Sequence, residues 1–316
     1  MKAAYYARFG GPELLNIGDV PQPEPASGEV LIRVRAAGVN PVDWKIRSGM
    51  YKSIMPYAFP IIPGWDAAGE IAALGEGVTG HAIGSRVVAC AQKLPIQWGA
   101  CAEYVAVPVA ALAHTPQDLD DVQAASLPVA GLTAWQALVG FARLEPGQTV
   151  LIHAAAGGVG SWAVGIARQR GATVIGTCSP ANADYVRELG ADIVLDYRRP
   201  DLKQAILSAA PEGVDVVLDG VGGETLALSY AVVKPGGVLA SLGDQPDPDQ
   251  VAHKDLSATR IGLRPIGSQL AELAQLAATG KIALPDITTL PLERIAEAHR
   301  LSQAGHVRGK LVLTVS

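Results

Sequence analysis

The residues best arranged for chemistry lie in one stretch, 149-TVLIHAAAGGVGSWAVGIARQRGATVIGTCS-179. An apolar run enters Ala155-Ala156-Gly157-Gly158-Val159-Gly160, and a helical pattern and a second apolar run follow. Gly157 lets a backbone approach a pyrophosphate, and Gly160 lets a helix pack closely on the strand before it. Gly158 and Val159 fall at the helix start, where free N–H groups and the helix dipole favour an anion. The usual first glycine of such a turn is Ala155 here, so the string alone is a weak signal. Its place between a strand and a helix, followed by a second strand, makes it a strong one for a dinucleotide. A turn needing glycine only for tight packing is the alternative reading.

The end of the second apolar run bears on which dinucleotide fits. An enzyme selecting NAD usually places Asp or Glu there to hold the ribose 2′-hydroxyl. This sequence has Cys178, Ser179 and Pro180, and the next acid, Asp184, lies in the following helical segment. With no carboxylate to repel it, a 2′-phosphate is tolerated. Ser179 has a hydroxyl to donate, and Tyr197 and Arg198 follow the third strand, with Arg198 the charge partner. The expected cofactor is NADPH; a simple helix cap at Ser179 and a solvated charge at Arg198 are the competing readings. Val221-Gly222 and Gly243 follow the fourth and fifth apolar runs, at the carboxyl edge of a sheet where ligands bind.

The elements that must position these residues are legible in outline. From residue 149 onward, runs of Val, Ile and Leu alternate with helical segments. Such strands are buried on both faces, as in a parallel sheet with helices on each side. Residues 1–120 differ: short apolar strands separated by Gly, Pro and acidic turns predict a small β-rich domain. Residues 266–280 predict a helix, GKLVLTV a closing strand, and 244-DQPDPDQVAHKD-255 an exposed loop. The fold class is α/β. The 25 basic and 30 acidic residues give a net charge of -5 with no basic block, which excludes a nucleic-acid footprint. Three cysteines form neither a disulfide framework nor a four-thiolate site. No run reaches membrane-spanning length and the start lacks a signal-peptide core, so a cytoplasmic location is expected.

Three further strings, 38-GVNPVDWKIRSGMY-51, 63-PGWDAAGEIAALGEGV-78 and 126-SLPVAGLTAWQAL-138, stand in order around the glycine turn. With 99-GACAEYVAVP-108 and GHVRGKLVLTV they resemble the medium-chain dehydrogenase/reductases, and within them the zinc-free quinone oxidoreductases related to ζ-crystallin. The resemblance implies a GroES-like catalytic domain from residues 1–121 and 266–316 and a Rossmann NADP-binding domain from 122–265. It implies a cleft where NADPH meets a quinone or an electron-poor alkene. It also implies a homodimer, with 257-SATRIGLRP-265 as the sixth strand at the pairing edge. In the zinc alcohol dehydrogenases that share the superfamily, metal ligands occupy positions that here read Asn40 and Pro63-Gly64-Trp65-Asp66. Trp cannot ligate zinc, so no metal is expected. Each of the six histidines is expected on the surface or in a turn.

Without a metal, hydride addition needs an acceptor whose conjugation spreads charge onto oxygen, and a protein that supplies orientation, hydrogen bonds and a proton. The polar residues of the loop 40–51 are the candidates. Asn40 is expected to orient a carbonyl or water, Asp43 to order the loop, and Lys45 to contact the nicotinamide ribose or the anionic oxygen. Lys45 replaces the tyrosine frequent in ζ-crystallin-like members and resembles plant alkenal and enone reductases. Tyr51 matches the proton-donating tyrosine of mitochondrial-type enoyl thioester reductases, and Thr133 falls where the family lines the nicotinamide pocket. An ordered loop with no catalytic part is the structural alternative. Enoyl-thioester reduction and a non-catalytic NADPH-binding role as sensor or scaffold are the alternative functions.

Overall fold

In the computed structural model, which describes residues 1–316, the chain divides into two units. The first comprises Met1–Leu132, Pro265–Thr279 and Asp286–Ser316, and the second Thr133–Arg264 and Gly280–Pro285. Short β-branched runs broken by glycine and proline make the first unit β-rich. A two-stranded sheet joins β1 (Lys2–Tyr5) to β2 (Asn16–Asp19), and another joins β4 (Tyr57–Ile62) to β7 (Ile96–Trp98). The principal sheet centres on β3 (Glu29–Val39), which is buried along nearly its whole length. Beside it run β5 (Asp66–Leu74), β6 (Arg86–Cys90) and β9 (Leu112–His114) on one side, and β17 (Lys310–Thr314) and β16 (Ile287–Pro291) on the other. β8 (Tyr104–Pro108) also pairs with β3. The first half of the chain and its last strand therefore share one core, which includes Val30, Ile32, Val87, Val105, Leu311 and Leu313.

Five helices accompany this unit. They are α1 (Pro41–Arg47), α2 (Asp121–Ala125), α3 (Pro128–Trp135, whose end belongs to the second unit), α9 (Gly267–Ala278) and α10 (Ile295–Ala304). α2 packs on β3 and β5, α9 on β6 and β9, and α10 on α1. Residues 122–132 thus go with the first unit and Gly280–Pro285 with the second, where the resemblance implied a nucleotide domain of 122–265. The stretch 40–51, expected as a loop, contains α1. Pro41 at its first position has the φ a helix requires, and its missing N–H is one the helix start does not use.

The second unit is a parallel sheet of β10 (Thr149–Ile152), β11 (Thr173–Cys178), β12 (Ile193–Asp196), β13 (Val214–Asp219), β14 (Val233–Ser241) and β15 (Ser257–Arg260). Their order is β12-β11-β10-β13-β14-β15. The order reverses between β10 and β13, the point at which open parallel sheets bind ligands at the carboxyl ends of their strands. The central strands are buried on both faces because α4 (Gly158–Gln169), α5 (Ala183–Glu188), α6 (Leu202–Ala209) and α7 (Glu224–Val232) cover the sheet. The expected exposed loop 244–255 carries a short helix, α8 (Pro248–His253). The sixth strand forms at the edge as expected but ends at Arg260.

Candidate active site

The glycine turn is built by backbone. β10 ends at Ile152, and Ala154 takes a positive φ of 53° to swing the chain over the sheet edge. Gly157 is the N-cap of α4 and has no side-chain cap, so the first N–H groups of the helix are left to a ligand. The two glycines serve different needs. A Cβ on Gly160 would lie 2.2 Å from the Ala154 carbonyl oxygen and 2.7 Å from Ala155 Cα, so close packing requires glycine there. A Cβ on Gly157 would meet only the Ala154 oxygen, at an ordinary 3.4 Å. Packing within the chain does not demand Gly157; room for an approaching pyrophosphate does. The turn therefore fits a dinucleotide.

Four other strand ends complete this edge. Asp219, the last residue of β13, accepts hydrogen bonds from Val221 N (2.8 Å) and Gly222 N (3.0 Å) and bends the chain back. Gly222 has φ 85°, and a Cβ there would meet Asp244 Oδ2 at 2.6 Å. Gly243 packs against Val221 and Gly222, which leaves the Val221 side chain exposed. At the outer strands, Cys178 pairs with Asp196, and Tyr197 N donates to the Cys178 carbonyl at 3.3 Å. Ser179 precedes a short turn without using its hydroxyl as a cap. Arg198 is exposed, 3.2 Å from Asp196 Oδ1 and 5.7 Å from the Tyr197 ring centroid. Ser179, Tyr197 and Arg198 thus meet at one edge. Thr133 is buried in α3.

In the first unit the polar residues of 40–51 separate into two pairs. Asn40 is 3% exposed, and its amide faces inward. Its Nδ2 donates to Asp66 Oδ2 at 2.8 Å, and its Oδ1 accepts from Lys310 Nζ at 2.6 Å. Lys310 Nζ also lies 3.1 Å from Asp66 Oδ2. An amide held from both sides serves the interior, so Asn40 departs from the expected part in orienting a substrate carbonyl. Asp43 accepts from Asn40 N at 2.7 Å and thereby holds the start of α1, the ordering role expected of it, on a helix rather than a loop. Burial pushes its carboxyl up to about 7, opposed by the Asn40 N–H. Neither Asp66 nor Lys310 was singled out from sequence. The one signal was that both stand in strings that carry the resemblance.

Lys45 and Tyr51 remain uncommitted. Lys45 is half-buried on α1, with no ion pair and with Nζ 5.8 Å from the Trp44 ring centroid. Tyr51 is half-buried in the turn after α1. It lines a shallow open recess with Phe9, Ile46, Lys52, Met55, Tyr57 and Ile96. Lys45 and Tyr51 are thus two free donors on one short segment, and Tyr51 stands against a largely apolar wall.

The histidines correct the sequence reading. His153, in the turn after β10, and His299, in α10, are buried, at 2% and 0% exposure, rather than on the surface. His153 Nδ1 lies 3.0 Å from Thr177 Oγ1, and burial lowers its pKa to about 4 despite Asp219 nearby. His299 lies in α10, and burial and the Arg47 charge lower it to about 3. An imidazole kept neutral packs as a small aromatic, which spacing along the chain does not show. His81 and His114 stack with ring centroids 5.2 Å apart. No three His, Cys, Asp or Glu side chains gather as metal ligands would.

Known proteins place this arrangement. Residues 26–117 match the alcohol dehydrogenase GroES-like domain, and residues 189–313 match a zinc-binding dehydrogenase domain. A chloroplast envelope quinone oxidoreductase homolog from Arabidopsis thaliana is 34% identical over 327 residues, covering 99% of this chain and 98% of its own. The structure of the quinone oxidoreductase from Coxiella burnetii superposes with a TM-score of 0.89 at 35% identity, covering 100% of this chain and 99% of that one. A mycobacterial protein solved with NADPH gives a TM-score of 0.89 at 32% identity, covering 99% of this chain and 100% of that one. The chain is therefore an oxidoreductase that belongs to the quinone oxidoreductase subfamily of the medium-chain dehydrogenase/reductases.

Proposed function

We propose that this oxidoreductase uses NADPH to reduce quinones or activated C=C bonds, such as those of enones and alkenals, without a metal. The observation that carries the reading is the uncommitted pair Lys45 and Tyr51 on one segment, with Tyr51 in a largely apolar recess that Lys52 also lines. The residues that would hold the nucleotide are Ala155 and Gly157–Gly160 for the pyrophosphate, with Val221, Gly222 and Gly243 on the neighbouring loops. Ser179, Tyr197 and Arg198 would hold the 2′-phosphate; no carboxylate ends β11, and Arg198 follows the neighbouring strand β12, where it pairs with Asp196. The bound reduced nicotinamide supplies the hydride. Lys45 and Tyr51 supply hydrogen-bond donors to the oxygen on which charge develops, and either side chain can pass it a proton. Asn40 and Asp43 hold the helix that carries Lys45.

Steady-state NADPH consumption against a quinone, an alkenal and an enoyl-CoA tests the reading. Turnover with the quinone or alkenal, undiminished by chelator, is the expected result. Activity confined to the enoyl-CoA, or none with any acceptor, would replace it with thioester reduction or a non-catalytic role.

A further inference from the structure

We propose that Lys310 and Asp66 are positioning residues: their buried ion pair fixes the start of α1 and thereby aims Lys45. The inference rests on the part given to Lys45 above. α1 has seven residues, too short to hold itself in place. Its N-cap, Asn40, is gripped by the first residues of two strands distant in sequence, Asp66 of β5 and Lys310 of β17. These side chains are 0% and 2% exposed. The second Asp66 oxygen, Oδ1, accepts from Val129 N at 2.7 Å, in the first turn of α3. One carboxylate therefore ties down the starts of two helices. The chain leaves no slack around it: a Cβ on Gly38 would lie 2.4 Å from Asp66 Oδ2 and 2.5 Å from the Ala125 carbonyl oxygen.

Stability does not call for this arrangement. An apolar pair of similar volume serves a core as well as a buried ion pair, and often better. What an apolar pair cannot do is grip an amide by both its oxygen and its nitrogen. The ion pair is thus set where direction matters, five residues before the lysine that faces the acceptor.

The test replaces both charges together. The double variant Asp66→Asn with Lys310→Met keeps the core neutral. It is expected to melt near the wild-type temperature while kcat falls roughly tenfold or more. The KM for the acceptor and the Kd for NADPH should stay within about threefold. Hydrogen exchange followed by mass spectrometry should rise roughly tenfold in peptides spanning 40–51, with peptides from 149–241 unchanged. Wild-type kcat in the folded double variant would overturn the proposal. So would a fall in kcat with unchanged exchange over 40–51, because the loss would not run through α1. If the double variant does not fold, Lys310→Arg keeps the charge but exchanges a compact ammonium for a planar fork, and the same local pattern is expected. Wild-type exchange and kcat in that variant would overturn the proposal equally. Should the wild-type protein reduce no acceptor, the functional reading alone fails, and the exchange pattern still decides the positioning.

Discussion

The glycine turn of the second unit and the start of α1 in the first solve the same problem by opposite means. Each must hold a short helix start ready for a ligand or a reaction. Gly157 and Gly160 do so by lacking side chains, so that N–H groups of α4 are bare and the helix packs close. Asn40, Asp66 and Lys310 do so by filling an interior with polar groups that satisfy one another. A site made of backbone tolerates nothing added. A site made of buried charges tolerates neither partner removed alone.

That contrast can be broken at either end. The largest effect is expected for Asp66→Ala, which leaves the Lys310 ammonium buried without its counter-charge. Breaking one partner of a buried pair costs about 3–5 kcal/mol, so thermal unfolding should move down by many degrees or the variant should not fold. At the other end, Gly160→Ala places a Cβ 2.2 Å from the Ala154 carbonyl oxygen and must displace the turn. The Kd for NADPH, measured by fluorescence titration, should rise roughly a hundredfold, about 2.7 kcal/mol. Gly157→Ala sharpens the point: it should melt with the wild type and still weaken NADPH. Equal affinity in Gly157→Ala would show that the turn needs glycine for packing alone.

Two smaller effects separate the uncommitted side chains from the committed ones. Lys45→Ala and Tyr51→Phe should each lower kcat on an enone roughly tenfold or more, since a donor to developing charge is lost. Tyr51→Phe should leave the NADPH Kd unchanged. If both variants keep wild-type kcat, the segment is only structural. Arg198→Ala should weaken NADPH roughly tenfold, about 1.4 kcal/mol, and leave NADH untouched. Equal losses for both nucleotides would remove the assignment to the 2′-phosphate.

A separate effect is on pH. Asp43 is raised from 3.8 to about 7 by burial, so the folded protein binds a proton that the unfolded chain has released. The stability this gives is full below about pH 4 and is lost as pH rises through about 7. His153 and His299, lowered to about 4 and about 3, work the other way and lose stability as pH falls below 6.5. Asp43→Asn removes only the first contribution. Its melting temperature relative to wild type should therefore climb between pH 4 and 7. A difference that stays level across that range would show Asp43 ionised throughout.

The same contrast explains what the sequence made legible. The nucleotide edge is local: Ala155, Gly157 and Gly160 fall within six positions, and the strands on either side announce themselves by unbroken runs of Val, Ile and Leu. Ser179, Arg198, Val221 and Gly243 follow from where those runs end. The inward turn of Asn40 was not legible, because its partners lie 26 and 270 positions away and only strand register brings them together. His299 was missed for a related reason. A histidine on a polar-looking helix is read as solvated until α10 is seen to pack against α1. The helical state of residues 41–47 was hidden by length, since fewer than two turns carry little periodicity and Gly49 and Pro41 read as loop punctuation.

The 270 positions between Asn40 and Lys310 also set an order of events at the ribosome. At roughly 5–20 residues per second, on the order of tens of seconds separate the emergence of Asn40 from that of its lysine partner. Within that interval β10 to β15 are all made, and every pairing among them but β10 with β13 joins strands consecutive in synthesis. The nucleotide unit can assemble while the nascent first unit holds Asp66 with no counter-ion and β3 with no β17 beside it. The half-built first unit is thus the form most exposed to chaperones and proteases, and a ribosome stalled before codon 310 would release it in that form.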